Sequence, residues 1–142
     1  MSKIKIFALG GLNENGKNMY VVEVNKDIFV FDAGLKYDND INLGIDYIIP
    51  NIDYLIKNRK RIKGIFLTHG HEGNMGATPD VLEQLPEVPV YGTKLTLEMV
   101  AKDLDRSIAN KVKLIEIKPH IKLNFGKNSI FPISVTHSIP DA

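Results

Sequence analysis

Polar and apolar residues alternate over residues 3–6, the two-residue period of a half-buried strand, and residues 3–9 as a whole read as that strand. Residues 20–24 and 28–32 are two β-rich runs around Asn25, Lys26 and Asp27, which predicts a hairpin. Gly10, Gly11 and the Asn15-Gly16 pair mark a loop before it. Residues 35–50 are polar and irregular. Asn51 then stands where it can cap a short helix with Ile52, Leu55 and Ile56 on one face. Residues 63–68 read as a strand. Thr78-Pro79 resembles an N-cap followed by proline at the first helical position, with Val81, Leu82 and Leu85 as the apolar face. Residues 88–91 form a short strand, and Thr93 opens a helix with Leu97, Val100, Ala101 and Leu104 at helical spacing. Residues 112–117, 121–125 and 129–135 read as three further strands. Strands at both ends with helices between them predict an α/β or α+β domain whose sheet is covered by helices. Gly10, Gly11 and Gly16 lack the G-x-G-x-x-G spacing of a dinucleotide-binding unit.

A chain of 142 residues is long enough for one domain with a sizeable core. Its 18 Lys and Arg nearly balance 17 Asp and Glu, so net charge argues neither for nor against nucleic acid. The absence of cysteine excludes a disulfide framework and thiolate chemistry, and fits a cytoplasmic protein. No apolar run approaches the roughly 18 residues of a membrane span. The first six residues alternate like a strand and not like a signal peptide. At the other end the sequence stops at Ala142, directly after an apolar, strand-like run, and reads as cut from a longer protein.

The chemistry concentrates after the strand of residues 63–68. Thr68-His69-Gly70-His71-Glu72-Gly73-Asn74 places two histidines one residue apart on a strand-end loop, where both can face one ion. A polar loop that merely holds two histidines is the alternative, since two ligands do not complete a site needing roughly four. His137 follows another apolar run and is a candidate third ligand or a structural histidine. Asp32 ends a strand; it either orients a metal-bound histidine through the ring's other nitrogen or is a turn aspartate. Glu72 is a candidate ligand or base, though a solvated loop glutamate is the simpler reading. His120, after Pro119, reads as surface. The basic run from Lys57 to Lys63 suits a solvated helix end, with phosphate contact as its alternative.

Several segments, in order, resemble the ribonuclease J family of β-CASP metallo-β-lactamase nucleases. They are Ala8-Leu9-Gly10-Gly11-Leu12, residues 16–24, Phe31-Asp32-Ala33-Gly34-Leu35, residues 64–72, residues 89–97 and Thr136-His137-Ser138-Ile139-Pro140-Asp141. The resemblance runs from about residue 6 to the end. It implies an αββα metallo-β-lactamase sandwich, of which residues 1–142 would be the N-terminal part, the rest of the domain and the β-CASP insertion lying beyond. It implies RNA as substrate, exo- and endonucleolytic action in RNA decay and ribosomal RNA maturation, and dimerisation. It implies two Zn or Mn ions, with His69, His71 and His137 matching three ligands of the first and Asp32 a buried supporting aspartate. Gly73 and Asn74 depart from the pattern. The family motif His-x-His-x-Asp-His has a metal-binding aspartate and histidine there. The departure implies a single ion, weakened hydrolysis, and a role as an RNA-binding scaffold or as partner of itself or of an active paralogue. Some bacteria carry such a degenerate second paralogue. A fully active nuclease and another metallo-β-lactamase hydrolase, such as a glyoxalase-type thioesterase, are the alternatives.

Overall fold

The computed structural model describes residues 1–37 and 44–142. Part of the irregular stretch read over residues 35–50 therefore lies outside the described residues. Strands β1 (Ile4–Gly10), β2 (Met19–Val24) and β3 (Asp27–Phe31) form an antiparallel meander. Val24 pairs with Asp27, so the hairpin turns on Asn25 and Lys26, with Asn25 at φ 58°, a left-handed conformation asparagine tolerates. Strands β4 (Ile62–Phe66), β5 (Val90–Gly92) and β6 (Leu114–Glu116) then add in parallel, giving one sheet in the order β1-β2-β3-β4-β5-β6.

Parallel neighbours need crossovers, and helices supply them on one face. Helix α1 (Asp53–Lys57) precedes β4, α2 (Glu72–Met75) and α3 (Thr78–Gln84) precede β5, and α4 (Lys94–Asp103) and α5 (Arg106–Ala109) precede β6. Their apolar side chains Leu55, Val81, Leu82, Leu85, Leu97 and Val100 meet Val21, Val30, Ile65 and Val90 of the sheet in a single buried cluster. The opposite face is aromatic. Phe66 stacks on Tyr91 at 4.7 Å, and Phe125 makes T-shaped contacts with Phe29, Phe66 and Tyr91 at 5.5–5.7 Å. Phe125 comes from a separate hairpin, β7 (Leu123–Phe125) and β8 (Asn128–Ile130). Helices, sheet and a second β layer stack in the order of the metallo-β-lactamase sandwich.

Departures from the sequence reading have local causes. Helix α3 begins at Thr78 itself, whose hydroxyl donates back to the Met75 carbonyl at 2.6 Å, with Ala77 in the capping position. Asn51 accepts the Asp53 N–H at 2.9 Å, one residue before the formal cap Ile52. Ala101 is exposed, so the apolar face of α4 is narrower than its spacing suggested. The last three strands are shorter than read. Residues 131–135 keep their alternation, with Phe131, Ile133 and Val135 all exposed, but pair with no strand among the described residues. Alternation marks a chain able to lie in a sheet; a ladder needs a neighbour as well.

Candidate metal centre

The parallel pairing of β3 with β4, and of β4 with β5, sends three chain segments out of one edge of the sheet, at the carboxyl ends of the strands. Open α/β sheets hold ligands at that edge. Phe31 lies beside Phe66, so Asp32 and Thr68 emerge together, and the Asp32 N–H is bonded to the Phe66 carbonyl at 2.9 Å. His69 and His71 follow within one turn of chain. The segment carrying His137 docks on the end of β5. There the Thr93 hydroxyl donates to the Asp141 carbonyl at 3.0 Å, and Ile139 comes to lie over Gly70.

The result is a cluster. Ring nitrogens of His69, His71 and His137 all lie within 4.8 Å of one another. His69 is buried, His71 half-buried and His137 exposed, so the cluster is held from below and open from above. Burial, and then the neighbouring His137 and His71, hold His69 below the usual imidazole range. It is therefore neutral near pH 7, the state in which a ring nitrogen can take an ion.

Asp32 is 4 % exposed and sits at φ 64°, a left-handed conformation that aspartate tolerates better than most residues. Its carboxylate touches no histidine directly. It accepts from the Thr68 N–H at 2.8 Å, the Thr68 hydroxyl at 3.0 Å and the Asn74 amide at 2.7 Å. Burial pushes the Asp32 carboxyl up, and these donors pull against that. The Thr68 oxygen also lies 2.9 Å from His69 Nδ1. The hydroxyl has one proton and gives it to the carboxylate, so it accepts from Nδ1–H. That tautomer leaves His69 Nε2 with its lone pair free, as a metal-binding imidazole requires. The sequence reading passed over Thr68, which links Asp32 to the cluster. Its only signal was its place between an apolar strand and the first histidine.

His137 is arranged differently. The Ser138 N–H donates to its Nδ1 at 2.9 Å. That contact puts the ring proton on Nε2. For Nε2 to take an ion the ring must turn over or release Ser138. Thr93→Val removes the bond that docks this segment while keeping the side chain's shape. It is expected to weaken ion binding a few-fold, in line with the roughly 0.5–1.5 kcal/mol of one such hydrogen bond. Titration of the variant with Co(II) measures it.

Gly73 and Asn74 lie in α2 and are turned to other tasks. The Gly73 carbonyl accepts from the Asn18 N–H and side-chain amide, both at 3.0 Å. A Cβ at Gly73 would stand 3.2 Å from the Gly16 Cα. The Asn74 amide is engaged with Asp32, and its carbonyl accepts from the Ala33 N–H at 2.7 Å. Glu72 is exposed and hydrogen-bonds the Tyr37 hydroxyl, pushing that phenol up. Among the described residues the group able to hold an ion is His69, His71 and His137 alone. Three imidazoles and an open position suit Zn or a similar divalent ion. No comparable donor set exists there for a second ion. His120 is exposed at φ 65° in a turn, away from the cluster.

The basic run is tied into the fold. Arg59 pairs with Glu87, Arg61 with Glu23 and the Lys26 carbonyl, and Lys63 with Asp27. The phosphate-contact alternative for this run loses three of its cations to structural pairs.

Residues 12–138 match the sequence pattern of the metallo-beta-lactamase superfamily. The chain is 46% identical to proteins named ribonuclease J 2 from Staphylococcus epidermidis and Staphylococcus aureus, over 98% of its own length. It spans about a quarter, 25%, of the length of those relatives. Among solved structures it is similar to the metallo-beta-lactamase fold protein YhfI from Bacillus subtilis, with TM-score 0.62 and 14% identity over 96% of this chain and 54% of that one. A protein of unknown function from Enterococcus faecalis gives TM-score 0.59 and 18% identity over 89% of this chain and 36% of that one. These two likenesses speak to the fold alone.

Proposed function

The chain belongs to the metallo-β-lactamase superfamily and, within it, to the ribonuclease J family, and we propose that it serves RNA processing and decay with a hydrolytic site reduced to one metal ion. The observation that carries this reading is the contrast within one loop. His69 and His71 converge with His137, while Gly73 has no side chain and the Asn74 side chain is bonded to Asp32. The single ion is Zn or Mn, held by the three imidazoles. When bound, such an ion supplies Lewis-acid polarisation of a phosphate oxygen and makes a water more acidic. The chain's own residues hold it in place. Thr68 fixes the His69 tautomer, and Thr93 and Ile139 seat the segment of His137.

Loss of one electrostatic stabiliser at a reacting phosphate costs about 3–4 kcal/mol, a hundred- to thousandfold in rate. The working role that remains is RNA binding and partnership, as a homodimer or with an active ribonuclease J paralogue. The remainder of the catalytic domain and a β-CASP domain belong to the same protein outside these residues, and the protein works in the cytoplasm. No helix among the described residues is long and apolar enough to cross a membrane.

The test is cleavage of 5′-monophosphorylated RNA with Mn or Mg, comparing the full-length protein with its Gly73→Asp, Asn74→His double variant. The variant is expected to cleave at least a hundredfold faster, once the Gly16 backbone yields the few tenths of an ångström that a Cβ at residue 73 needs. Equal, rapid cleavage by both would establish a working nuclease instead. Residues 1–142 alone are expected to release no product from the same RNA.

A further inference from the structure

Asn74 stands where the family motif has a metal-binding histidine, yet the structure gives it a definite occupation. Its Nδ2 lies 2.7 Å from Asp32 Oδ2. An amide beside a carboxylate must present its NH2 there, because its oxygen would face another acceptor. Asp32 is buried, and the donors that reach it come from Thr68 and Asn74. From Asp32 the bonds continue through the Thr68 hydroxyl to His69 Nδ1.

We propose that Asn74 is a positioning residue: by donating to Asp32 it fixes the direction of the Asp32–Thr68–His69 hydrogen-bond chain and keeps His69 Nε2 free to take an ion. The inference deepens the one-ion reading and rests on it only at the last step, since the direction of the bonds exists without any metal.

The direction follows from proton counting. With Asn74 donating, Asp32 acts purely as an acceptor. Thr68 then has to give its single proton to Asp32 and to accept from the imidazole. Without the amide, a proton on Asp32 can take its place. Donated to Thr68, that proton reverses both bonds and moves the ring proton to Nε2, where it opposes an ion. A histidine at position 74 would offer the same N–H to Asp32 and a second nitrogen to a metal. Asparagine retains the donor and lacks the ligand. The substitution at 74 therefore removes a second ion's ligand while sparing the support of the first.

The experiment reads the tautomers of the metal-free full-length protein labelled with 15N-histidine, from long-range proton–nitrogen spectra. In the wild type the His69 proton is expected on Nδ1. His137 serves as the internal contrast, with its proton on Nε2 because Ser138 donates to its Nδ1. In Asn74→Leu the His69 proton is expected to move to Nε2 or divide between the nitrogens, with Co(II) affinity falling about 10- to 100-fold, the usual effect of losing a supporting partner. Asn74→His is expected to restore the wild-type His69 tautomer. Thr68→Val cuts the same chain one bond nearer the ring, and is expected to lose the tautomer if the leucine variant does not fold. A wild-type His69 protonated on Nε2 overturns the proposal, as does a folded Asn74→Leu protein with wild-type tautomer and affinity. A wild type with the expected tautomer that binds no Co(II) overturns the one-ion reading and leaves the hydrogen-bond chain standing.

Discussion

Gly34→Ala is expected to destabilise the metal-free protein by about 3 kcal/mol or more, at or beyond the upper end of what overpacking a filled interior costs. A Cβ at residue 34 would stand 1.7 Å from the Gly73 carbonyl oxygen, 2.2 Å from its carbon and 2.8 Å from the Asn74 nitrogen. All of these are backbone atoms, and the backbone there cannot move aside. The Gly73 carbonyl is held by Asn18, the Asn74 carbonyl by Ala33 N–H, the Glu72 carbonyl by Leu35 N–H and the Ala33 carbonyl by Ala77 N–H. Three segments, residues 16–18, 32–35 and 72–77, are thus laced edge to edge directly behind the histidines. Against a total stability of about 5–15 kcal/mol, the loss is a large fraction. Urea unfolding measures it. Gly70→Ala is the control, because its Cβ would meet only the mobile ends of Met99 and Ile139. It is expected to cost less than about 1 kcal/mol, the scale of an ordinary tolerated substitution. Similar values for the two variants would mean that the laced backbone is softer than its hydrogen bonds imply.

The second large effect is on the ion. His69→Ala is expected to abolish measurable Co(II) or Zn(II) binding by the cluster, while His137→Ala is expected to leave weak binding. His69 is buried, neutral and already turned by Thr68 to offer a free nitrogen. His137 is exposed and must first give up Ser138 or turn its ring. The loss for His69→Ala exceeds the roughly 10- to 100-fold that removal of a supporting partner costs, because the ligand itself is gone. Isothermal titration of each variant separates the two. Equal losses would show that the order of burial does not set the order of affinity.

Much of this was legible in the sequence because it rests on short-range pattern. The strand-like residues 3–9 and the two β-rich runs on either side of Asn25 and Lys26 became the meander, and the spacing of Val81, Leu82 and Leu85 marked the buried face of α3. Both histidines of the His69-Gly70-His71 pair stood at the end of a readable strand. What the sequence withheld was direction. Nothing in the letters said that Asn74 would bend toward Asp32, that Thr68 would stand between Asp32 and His69, or that Ser138 would hold His137 the other way round. The bonds from Thr68 and Asn74 to Asp32 span 36 and 42 positions of chain, and the Ser138–His137 bond, though local, is a side-chain orientation that no residue pattern encodes. Helix α2 itself read as loop, since Glu72–Met75 is too short to show a period. The alternation in residues 131–135 is real, yet they pair with no strand among the described residues.

The measurement that bears most directly on a one-ion site is the number of divalent ions bound per chain at saturation, from elemental analysis after dialysis against Zn or Mn. One ion per chain, lost in His69→Ala, is the expected result. Two ions per chain, or one that survives the loss of His69, would contradict it.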